Sequence, residues 1–222
     1  MPSSPEEKGF GQGDPALARY CESIYQPEDE VLREIRERSV REALPAIAVG
    51  RFDGLHLEVL ARACGALKSV EIGTLGGYSG VCLLRGMGVH GVLHTFEYSD
   101  KHARVARESF VKAGVSARAH IHVGPALTSL PEIEAEAPFD LVFIDADKVS
   151  YPAYLDWAAE HLREGGVVLA DNAFAFGELH LPGGDEGREA LRKFNRELAQ
   201  GGRFRATMIP TAEGLAMGVK IR

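Results

Sequence analysis

Residues 139–148 read FDLVFIDADK and residues 165–172 read GGVVLADN. Each segment contains a short apolar run, Leu141–Ile144 in the first and Val167–Ala170 in the second, and each run stops abruptly at acidic or amide side chains. Apolar runs of this length, bounded by turn residues, are typical of strands that are buried on both faces of a parallel sheet. We therefore predict two central strands of an α/β fold at these positions.

The polar residues that follow these strands, Asp145, Asp171 and Asn172, predict a ligand site. In open α/β sheets, ligands bind just beyond the carboxyl ends of the strands, where these side chains would project. Two carboxylates and one amide oxygen are hard ligands, which suit Mg²⁺ or Ca²⁺ better than zinc. Each residue also has a structural interpretation, since Asp145 could cap a helix and Asp171-Asn172 could form a turn. Their joint occurrence, with Lys148 close to Asp145, favours a catalytic metal site.

From Lys68 onward, predicted strands and helices alternate with short links. The predicted strands are Ser69–Ile72, Val92–Phe96, Ala119–Val123, Leu141–Ile144, Val167–Ala170, Phe204–Pro210 and Leu215–Ile221. The helices between them begin near Tyr78, Lys101, Ala126, Pro152 and Glu186. This alternation predicts a doubly wound parallel sheet, but residues 211–214 are too few for a parallel crossover between the last two strands. The predicted fold class is α/β, a Rossmann-like seven-stranded sheet with a C-terminal antiparallel hairpin and helices on both faces.

The N-terminal part of the chain divides into an arm and a helical extension. Residues 1–13 are rich in Pro, Gly, Ser and Glu, which predicts a flexible arm. Helical patterning starts at Asp14-Pro15, an N-cap followed by proline at the first helical position, and continues in Glu28–Leu44 and Gly54–Cys64. We expect residues 14–222 to form a single domain with this extension at its N-terminus.

The composition narrows the class of protein. The chain has 222 residues, 45% hydrophobic and 26% charged, with a net charge of −7, which argues against a nucleic-acid partner. No apolar stretch approaches the ~20 residues of a membrane span, and the N-terminus lacks the apolar core of a signal peptide. Cys21, Cys64 and Cys82 are odd in number and show no metal-binding spacing, so we interpret them as reduced thiols in a cytoplasmic protein.

Residues 70–80, VEIGTLGGYSG, predict a glycine-rich loop after the first strand of the sheet. Glycines allow the backbone to turn sharply and to approach a ligand closely. The spacing differs from the G-x-G-x-x-G of dinucleotide-binding proteins, and Glu71 stands two residues before the first glycine. An acid there suits the cationic amino-acid end of S-adenosylmethionine (SAM), while Glu97, after the second strand, could accept both ribose hydroxyls. A nucleotide site, or glycines that serve only strand-to-helix packing, remain alternatives.

Taken together, these segments resemble the small cation-dependent class I O-methyltransferases, the group that includes caffeoyl-CoA and catechol O-methyltransferases. The resemblance extends from about Ile47 to the C-terminus. The matching motifs are Glu71-Ile72-Gly73 with Gly77-Tyr78-Ser79, Glu97, Gly124-Pro125-Ala126, FIDADK at residues 143–148, and Ala170-Asp171-Asn172. The resemblance implies a methyltransferase sheet and a single SAM-dependent methyltransferase domain.

The resemblance also implies roles for individual residues. SAM would be bound by Val49, Glu71, Gly73, Thr74, Ser79, Glu97, Gly124, Ala126 and Asp145. The metal, Mg²⁺ or alternatively Ca²⁺ or Mn²⁺, would be bound by Asp145, Asp171 and Asn172. Lys148 would be the catalytic base, with Asp145 as the second catalytic residue.

The chain departs from the family pattern in places that concern the acceptor. Leu55 stands where the family often has Gln, and the segment Ala173–Asp185 matches the loop of neither branch. No counterpart of the substrate-orienting carboxylate of the animal catechol enzymes is identified in the C-terminal third of the chain. The sequence therefore leaves the acceptor open.

The expected function is SAM- and cation-dependent methyl transfer to a vicinal hydroxyl of a catechol-like or hydroxycinnamoyl-type small molecule. Two alternatives stay open, an NAD(P)-dependent oxidoreductase on a similar sheet and a methyltransferase-fold protein that acts on nucleic acid. We expect no nucleic-acid or membrane partner. We also expect a homodimer, because the family uses the N-terminal helical arm and the edge hairpin for pairing.

Overall fold

The computed structural model describes residues 15–222. Its strands are β1 Lys68–Ile72, β2 Val92–Glu97, β3 Ala119–Val123, β4 Phe139–Ile144, β5 Leu162–Ala170, β6 Phe204–Ile209 and β7 Leu215–Lys220. They form one seven-stranded sheet in the order β3-β2-β1-β4-β5-β7-β6. The first five strands are parallel, and β7 is antiparallel to both β5 and β6. The predicted α/β fold and its C-terminal hairpin are confirmed.

The helices are α1 Pro15–Tyr25, α2 Glu30–Arg41, α3 Arg51–Ala63, α4 Tyr78–Gly86, α5 Asp100–Lys112, α6 Ala126–Ser129, α7 Tyr151–His161 and α8 Glu186–Gln200. Shorter 3₁₀ segments span Ser116–Arg118, Leu130–Glu136 and Lys148–Ser150. Two separate apolar clusters cover the sheet, one with α7 and α8, and one with α2, α3, α4 and α5. Successive residues of β4 point alternately into the two clusters, so the strand is buried on both faces, as its apolar run predicted.

Several boundaries differ from the prediction for local reasons. α2 begins at Glu30 and not at Glu28, because the Asp29 carboxylate accepts a hydrogen bond from the Leu32 N–H (2.9 Å) and caps the helix. β5 begins five residues earlier than predicted, at Leu162, where it pairs with β4 ahead of a register shift. The predicted flexible arm, residues 1–13, and Asp14 lie outside the described residues. The single-domain prediction for residues 14–222 stays untested.

Cys21, Cys64 and Cys82 are free thiols, as predicted. Among the helices within residues 15–222, none has both the length and the apolar character needed to cross a membrane.

Gly86, the last residue of α4, lies against the backbone of α3. A Cβ atom at this position would lie 2.1 Å from the Glu58 carbonyl oxygen. Because that oxygen belongs to the backbone of a packed helix, relieving the clash would require α3 or α4 to shift. We expect Gly86→Ala to lower the free energy of unfolding by about 1–3 kcal/mol in urea titrations. Gly88→Ala is the matched control, because its Cβ would meet only the exposed side chain of Leu67, at 3.2 Å. Equal stability of the two variants would contradict this packing.

The strand order places a ligand site between β1 and β4. The chain proceeds from β1 through β2 to β3 on one side, and through β4 to β5 on the other, so the direction of winding reverses at this point. The loops that leave the carboxyl ends of β1 and β4 diverge there and open a crevice.

Candidate active site

A cavity of about 820 Å³ opens at this reversal point. Its wall includes ten of the residues that the sequence predicted for the site, namely Val49, Gly73, Thr74, Ser79, Glu97, Gly124, Ala126, Asp145, Lys148 and Asn172. The other two, Glu71 and Asp171, are almost completely buried and stand behind the wall. The volume suits a nucleotide-sized cofactor and a small acceptor.

The first residue of the glycine loop, Gly73, lies against the backbone of Asp145 at the end of β4. Gly73 has a positive φ of 106°, and a Cβ atom there would lie 2.0 Å from the Asp145 carbonyl oxygen. Only glycine fits this position without displacing Asp145. The loop is also tied to β2, because the Leu75 N–H donates to the Glu97 carboxylate (2.8 Å).

Glu97 is fixed at the end of β2 by several donors. Its carboxylate accepts hydrogen bonds from the N–H groups of Leu75 (2.8 Å) and Ser99 (2.9 Å), and its Oε1 lies 3.2 Å from His102 Nδ1. The side chain is 8% exposed and lines the cavity. It is therefore held as an acceptor at the place where the sequence predicted recognition of a ribose.

Glu71 lies beneath the glycine loop and does not reach the cavity surface. Its Oε2 accepts a hydrogen bond from the Thr95 hydroxyl (2.6 Å), which in turn contacts the Thr74 hydroxyl (2.5 Å). Burial, helped by the nearby carboxylates of Asp145 and Glu97, raises the pKa of Glu71 from 4.5 to about 7 against the opposing hydrogen bonds. In this geometry Glu71 supports the loop through Thr95 and Thr74.

We expect the Glu71→Gln variant to gain stability relative to the wild type as the pH rises. Between pH 4.5 and about 7 the folded wild type holds a proton at Glu71 that the unfolded chain has lost, so its stability falls across that window. Glutamine removes this loss, which amounts to about 3 kcal/mol at 1.36 kcal/mol per pKa unit. Urea denaturation from pH 4.5 to 8 measures the difference, with exposed Glu160→Gln as the control. A difference that does not change with pH would contradict the buried, high-pKa carboxyl.

Lys148 and Asp145 form an ion pair at the end of β4. The Lys148 Nζ lies 3.2 Å from Asp145 Oδ1 and 2.7 Å from the Tyr151 hydroxyl oxygen. That hydroxyl lies 3.0 Å from the Asp171 carbonyl oxygen and 3.3 Å from the Ile144 carbonyl oxygen. Because carbonyl oxygens only accept, the tyrosine proton goes to one of them, and the Tyr151 oxygen accepts from Lys148.

Tyr151 contacts the predicted base Lys148 and was not predicted from the sequence. Its side chain is completely buried, and burial raises its pKa well above the ordinary value, so the hydroxyl keeps its proton. It joins Lys148 to the backbone of Asp171. The signal in the sequence was its position three residues after Lys148, where a 3₁₀ turn leads into α7 and brings the two side chains together.

Asp171 and Asn172 leave the end of β5 as buried residues, at 1% and 7% exposure. Asn172 has a positive φ of 56°, a conformation that asparagine adopts more readily than most residues. Its Nδ2 donates to Glu213 Oε2 (2.7 Å) and lies 3.3 Å from Asp171 Oδ2. Glu213 is 4% exposed, lines the cavity and was not predicted.

Of the two phenylalanines that follow Asn172, Phe174 and Phe176, only Phe176 lines the cavity. Phe176 is 52% exposed. Phe174 packs over Gly214, where a Cβ atom would meet its ring at 2.6 Å.

The chemistry of the donor set fits a hard cation. Within residues 15–222, no group of three or more His, Cys, Asp or Glu side chains is arranged to hold a metal ion. The predicted ligand set would not form such a group, since it consists of two carboxylates and the amide of Asn172. Asp145, at the cavity wall, and the buried Asp171 and Asn172 offer oxygen donors of the kind that Mg²⁺ and Ca²⁺ prefer.

Comparison with known proteins identifies the family. A family model described as O-methyltransferase matches residues 21–221. The chain belongs to the O-methyltransferase family. It is 40% identical over 197 residues to a catechol O-methyltransferase from Mycobacterium tuberculosis, with 89% of each chain covered.

Solved O-methyltransferase structures share the fold closely. An O-methyltransferase from Bacillus cereus in complex with SAH has a TM-score of 0.87 at 36% identity, covering 92% of this chain and 97% of that chain. The O-methyltransferase TomG from Streptomyces achromogenes, in complex with SAM, has a TM-score of 0.87 at 34% identity, covering 93% and 96%. The predicted class of enzyme, an O-methyltransferase, is confirmed, and the oxidoreductase alternative is not supported.

Proposed function

We propose that this O-methyltransferase uses SAM and a divalent cation to methylate one hydroxyl of a vicinal diol on a catechol-like or hydroxycinnamoyl-type small molecule. The observation that carries the proposal is the position of Asp145, Lys148 and Asn172 on the wall of the cavity that also contains the glycine loop and Glu97. A donor site and an acceptor site thus share one space.

The donor site is proposed from the β1 and β2 ends of the cavity. Gly73, Thr74 and Ser79 provide a close backbone approach and small polar side chains, and Glu97 provides a fixed carboxylate for the ribose. Val49, Gly124 and Ala126 complete the wall, while Glu71 would act from behind the loop. Relatives that contain SAM or SAH with the same fold support this assignment.

The proposed metal ligands are Asp145, Asp171 and Asn172, with Mg²⁺ as the favoured ion and Ca²⁺ or Mn²⁺ as alternatives. A cation bound there would supply Lewis acidity that lowers the pKa of a phenolic hydroxyl and a template that orients a vicinal diol. Asp171 and Asn172 are held by burial, by the contact of the Tyr151 hydroxyl with the Asp171 carbonyl and by the hydrogen bond from Asn172 to Glu213, so the donor atoms are preorganised.

Lys148 is the proposed general base. A neutral amine has two N–H groups and one lone pair, and the Tyr151 oxygen and Asp145 Oδ1 are placed to accept both N–H groups. The lone pair then remains for the acceptor hydroxyl. The proton of that hydroxyl passes to Nζ as the oxygen takes the methyl group from the sulfonium donor, which leaves as the neutral thioether.

An acceptor panel tests the substrate class. We expect methylation of caffeic acid or caffeoyl-CoA and none of p-coumaric acid, which has the same skeleton without the second hydroxyl. Methylation of p-coumaric acid at an equal rate would contradict recognition of a diol. A gel shift with RNA or DNA, or tight binding of NADH, would instead support one of the two alternatives.

We also propose that the protein forms a homodimer. A homodimer is supported by the exposed apolar residues Leu17, Tyr20, Ile24 and Tyr25 of α1, which would be covered by pairing. Light scattering at micromolar concentration checks it, and a monomer would contradict it. The cytoplasmic location and the absence of nucleic-acid and membrane partners remain predictions.

A further inference from the structure

We propose that Glu213 is a positioning residue that fixes the Asn172 amide with its oxygen, and not its nitrogen, directed toward the cation site. The inference rests on the proposed function, because it concerns one of the proposed metal ligands. It assigns a role in the active site to the loop of the C-terminal hairpin, residues 210–214.

The hydrogen bond between the two side chains determines which way the amide points. Asn172 Nδ2 donates to Glu213 Oε2 at 2.7 Å, and Asp171 Oδ2 lies 3.3 Å from the same nitrogen. A carboxylate oxygen of each neighbour accepts from the Asn172 amide nitrogen, so the nitrogen lies on the side of these two residues. The amide oxygen is therefore turned away from Glu213 and is available as a ligand.

This selection matters because an amide presents either of two atoms after a half-turn of its terminal torsion. The oxygen binds a hard cation, whereas the NH₂ group would direct its hydrogens at the ion. An unrestrained asparagine would therefore spend part of its time in an orientation that cannot bind. Partners behind a metal ligand commonly fix its orientation, and their loss typically weakens metal binding about 10–100-fold.

Glu213 is itself held by the backbone of the hairpin. The Ala173 N–H donates to the Gly214 carbonyl (2.9 Å), and the Phe174 N–H donates to the Glu213 carbonyl (3.0 Å). Gly214 has a positive φ of 79° and no room for a Cβ atom against Phe174, so the turn packs closely on the segment after Asn172. Glu213 is 4% exposed, and these backbone contacts hold it next to Asn172.

The test is Mg²⁺ binding to the full-length chain saturated with SAH, measured by isothermal titration calorimetry with MgCl₂. Glu213→Gln keeps the shape of the side chain but supplies an NH₂ group that can donate to the Asn172 oxygen and stabilise the flipped amide. We expect the Kd for Mg²⁺ to rise about 10–100-fold, with the affinity for SAH and the thermal midpoint unchanged. Ala212→Gln places the same amide on the exposed neighbouring residue and should leave the Kd unchanged.

A second variant separates positioning from a structural role. In the double variant Asn172→Asp with Glu213→Gln, the carboxylate and the amide are exchanged. Either oxygen of the new carboxylate at position 172 can then bind the cation, while the NH₂ group of the new amide at position 213 donates to the other oxygen. We expect the double variant to bind Mg²⁺ at least tenfold more tightly than Glu213→Gln does. General damage to the loop would not produce this recovery.

The outcomes distinguish the inference from the proposed function. If the wild type and Glu213→Gln bind Mg²⁺ with the same Kd, the proposed role of Glu213 is wrong, while the proposed metal site stands. Failure of the double variant to recover affinity would also overturn it. A wild-type chain that binds no Mg²⁺ with SAH present would overturn the proposed metal site and this inference together.

Discussion

Replacement of Lys148 by alanine is expected to remove most turnover while leaving the affinity for SAM unchanged. The lysine amine is the proposed proton acceptor, and its contacts are with Asp145 Oδ1 and the Tyr151 hydroxyl. Loss of a positioned general base typically costs about 10²–10⁴-fold in rate. The measurement is kcat with a saturating diol acceptor, together with the Kd for SAM by calorimetry.

Two further variants sharpen the result. Lys148→Arg keeps a positive charge beside Asp145, but a guanidinium does not lose its proton in proteins, so this variant should be nearly as slow as alanine. Lys193→Ala, on the exposed face of α8, is the control and should keep wild-type kinetics. Near-normal turnover of Lys148→Ala would show that Lys148 is not the base.

Asp171→Asn is expected to have the second large effect, a loss of at least ~100-fold in kcat/KM at low Mg²⁺. Asp171 is 1% exposed at the end of β5, and the amide has the same size, so the change removes charge with little change in packing. A bound cation contributes several kcal/mol of charge stabilisation, and each 1.36 kcal/mol is a factor of ten in rate.

The dependence on Mg²⁺ concentration separates a lost ligand from a damaged fold. If Asp171 is a ligand, high Mg²⁺ should restore part of the rate, whereas a misfolded variant would not respond. Asp156→Asn, an exposed carboxylate on α7 that pairs with Arg203, is the control. An Asp171→Asn variant with full activity at low Mg²⁺ would remove Asp171 from the ligand set.

The sequence predicted the parts of the fold and site that depend on local patterns. Apolar runs that end in polar residues identified β4 and β5, and the short link at residues 211–214 identified the hairpin. Most of the predicted site residues line one cavity, because parallel strands bring their carboxyl ends to the same edge of the sheet.

The sequence could not show contacts that depend on side chains from distant segments. Glu213 is 41 residues from Asn172, and only the insertion of β7 antiparallel to β5 brings the hairpin loop to the end of β5. Glu71 was predicted to contact the cofactor, but its position beneath the loop depends on the burial of Thr95 and on the close approach of Gly73 to Asp145. These features follow from tertiary packing, which residue spacing does not encode.

Cation dependence is tested most directly by methyl transfer from SAM to caffeic acid, measured with Mg²⁺ present and after its removal with EDTA. Cation-dependent transfer predicts methylated product with Mg²⁺, no product with EDTA, and full recovery when excess Mg²⁺ is returned. Undiminished methylation in EDTA would contradict the assignment of Asp145, Asp171 and Asn172 as ligands of a catalytic cation.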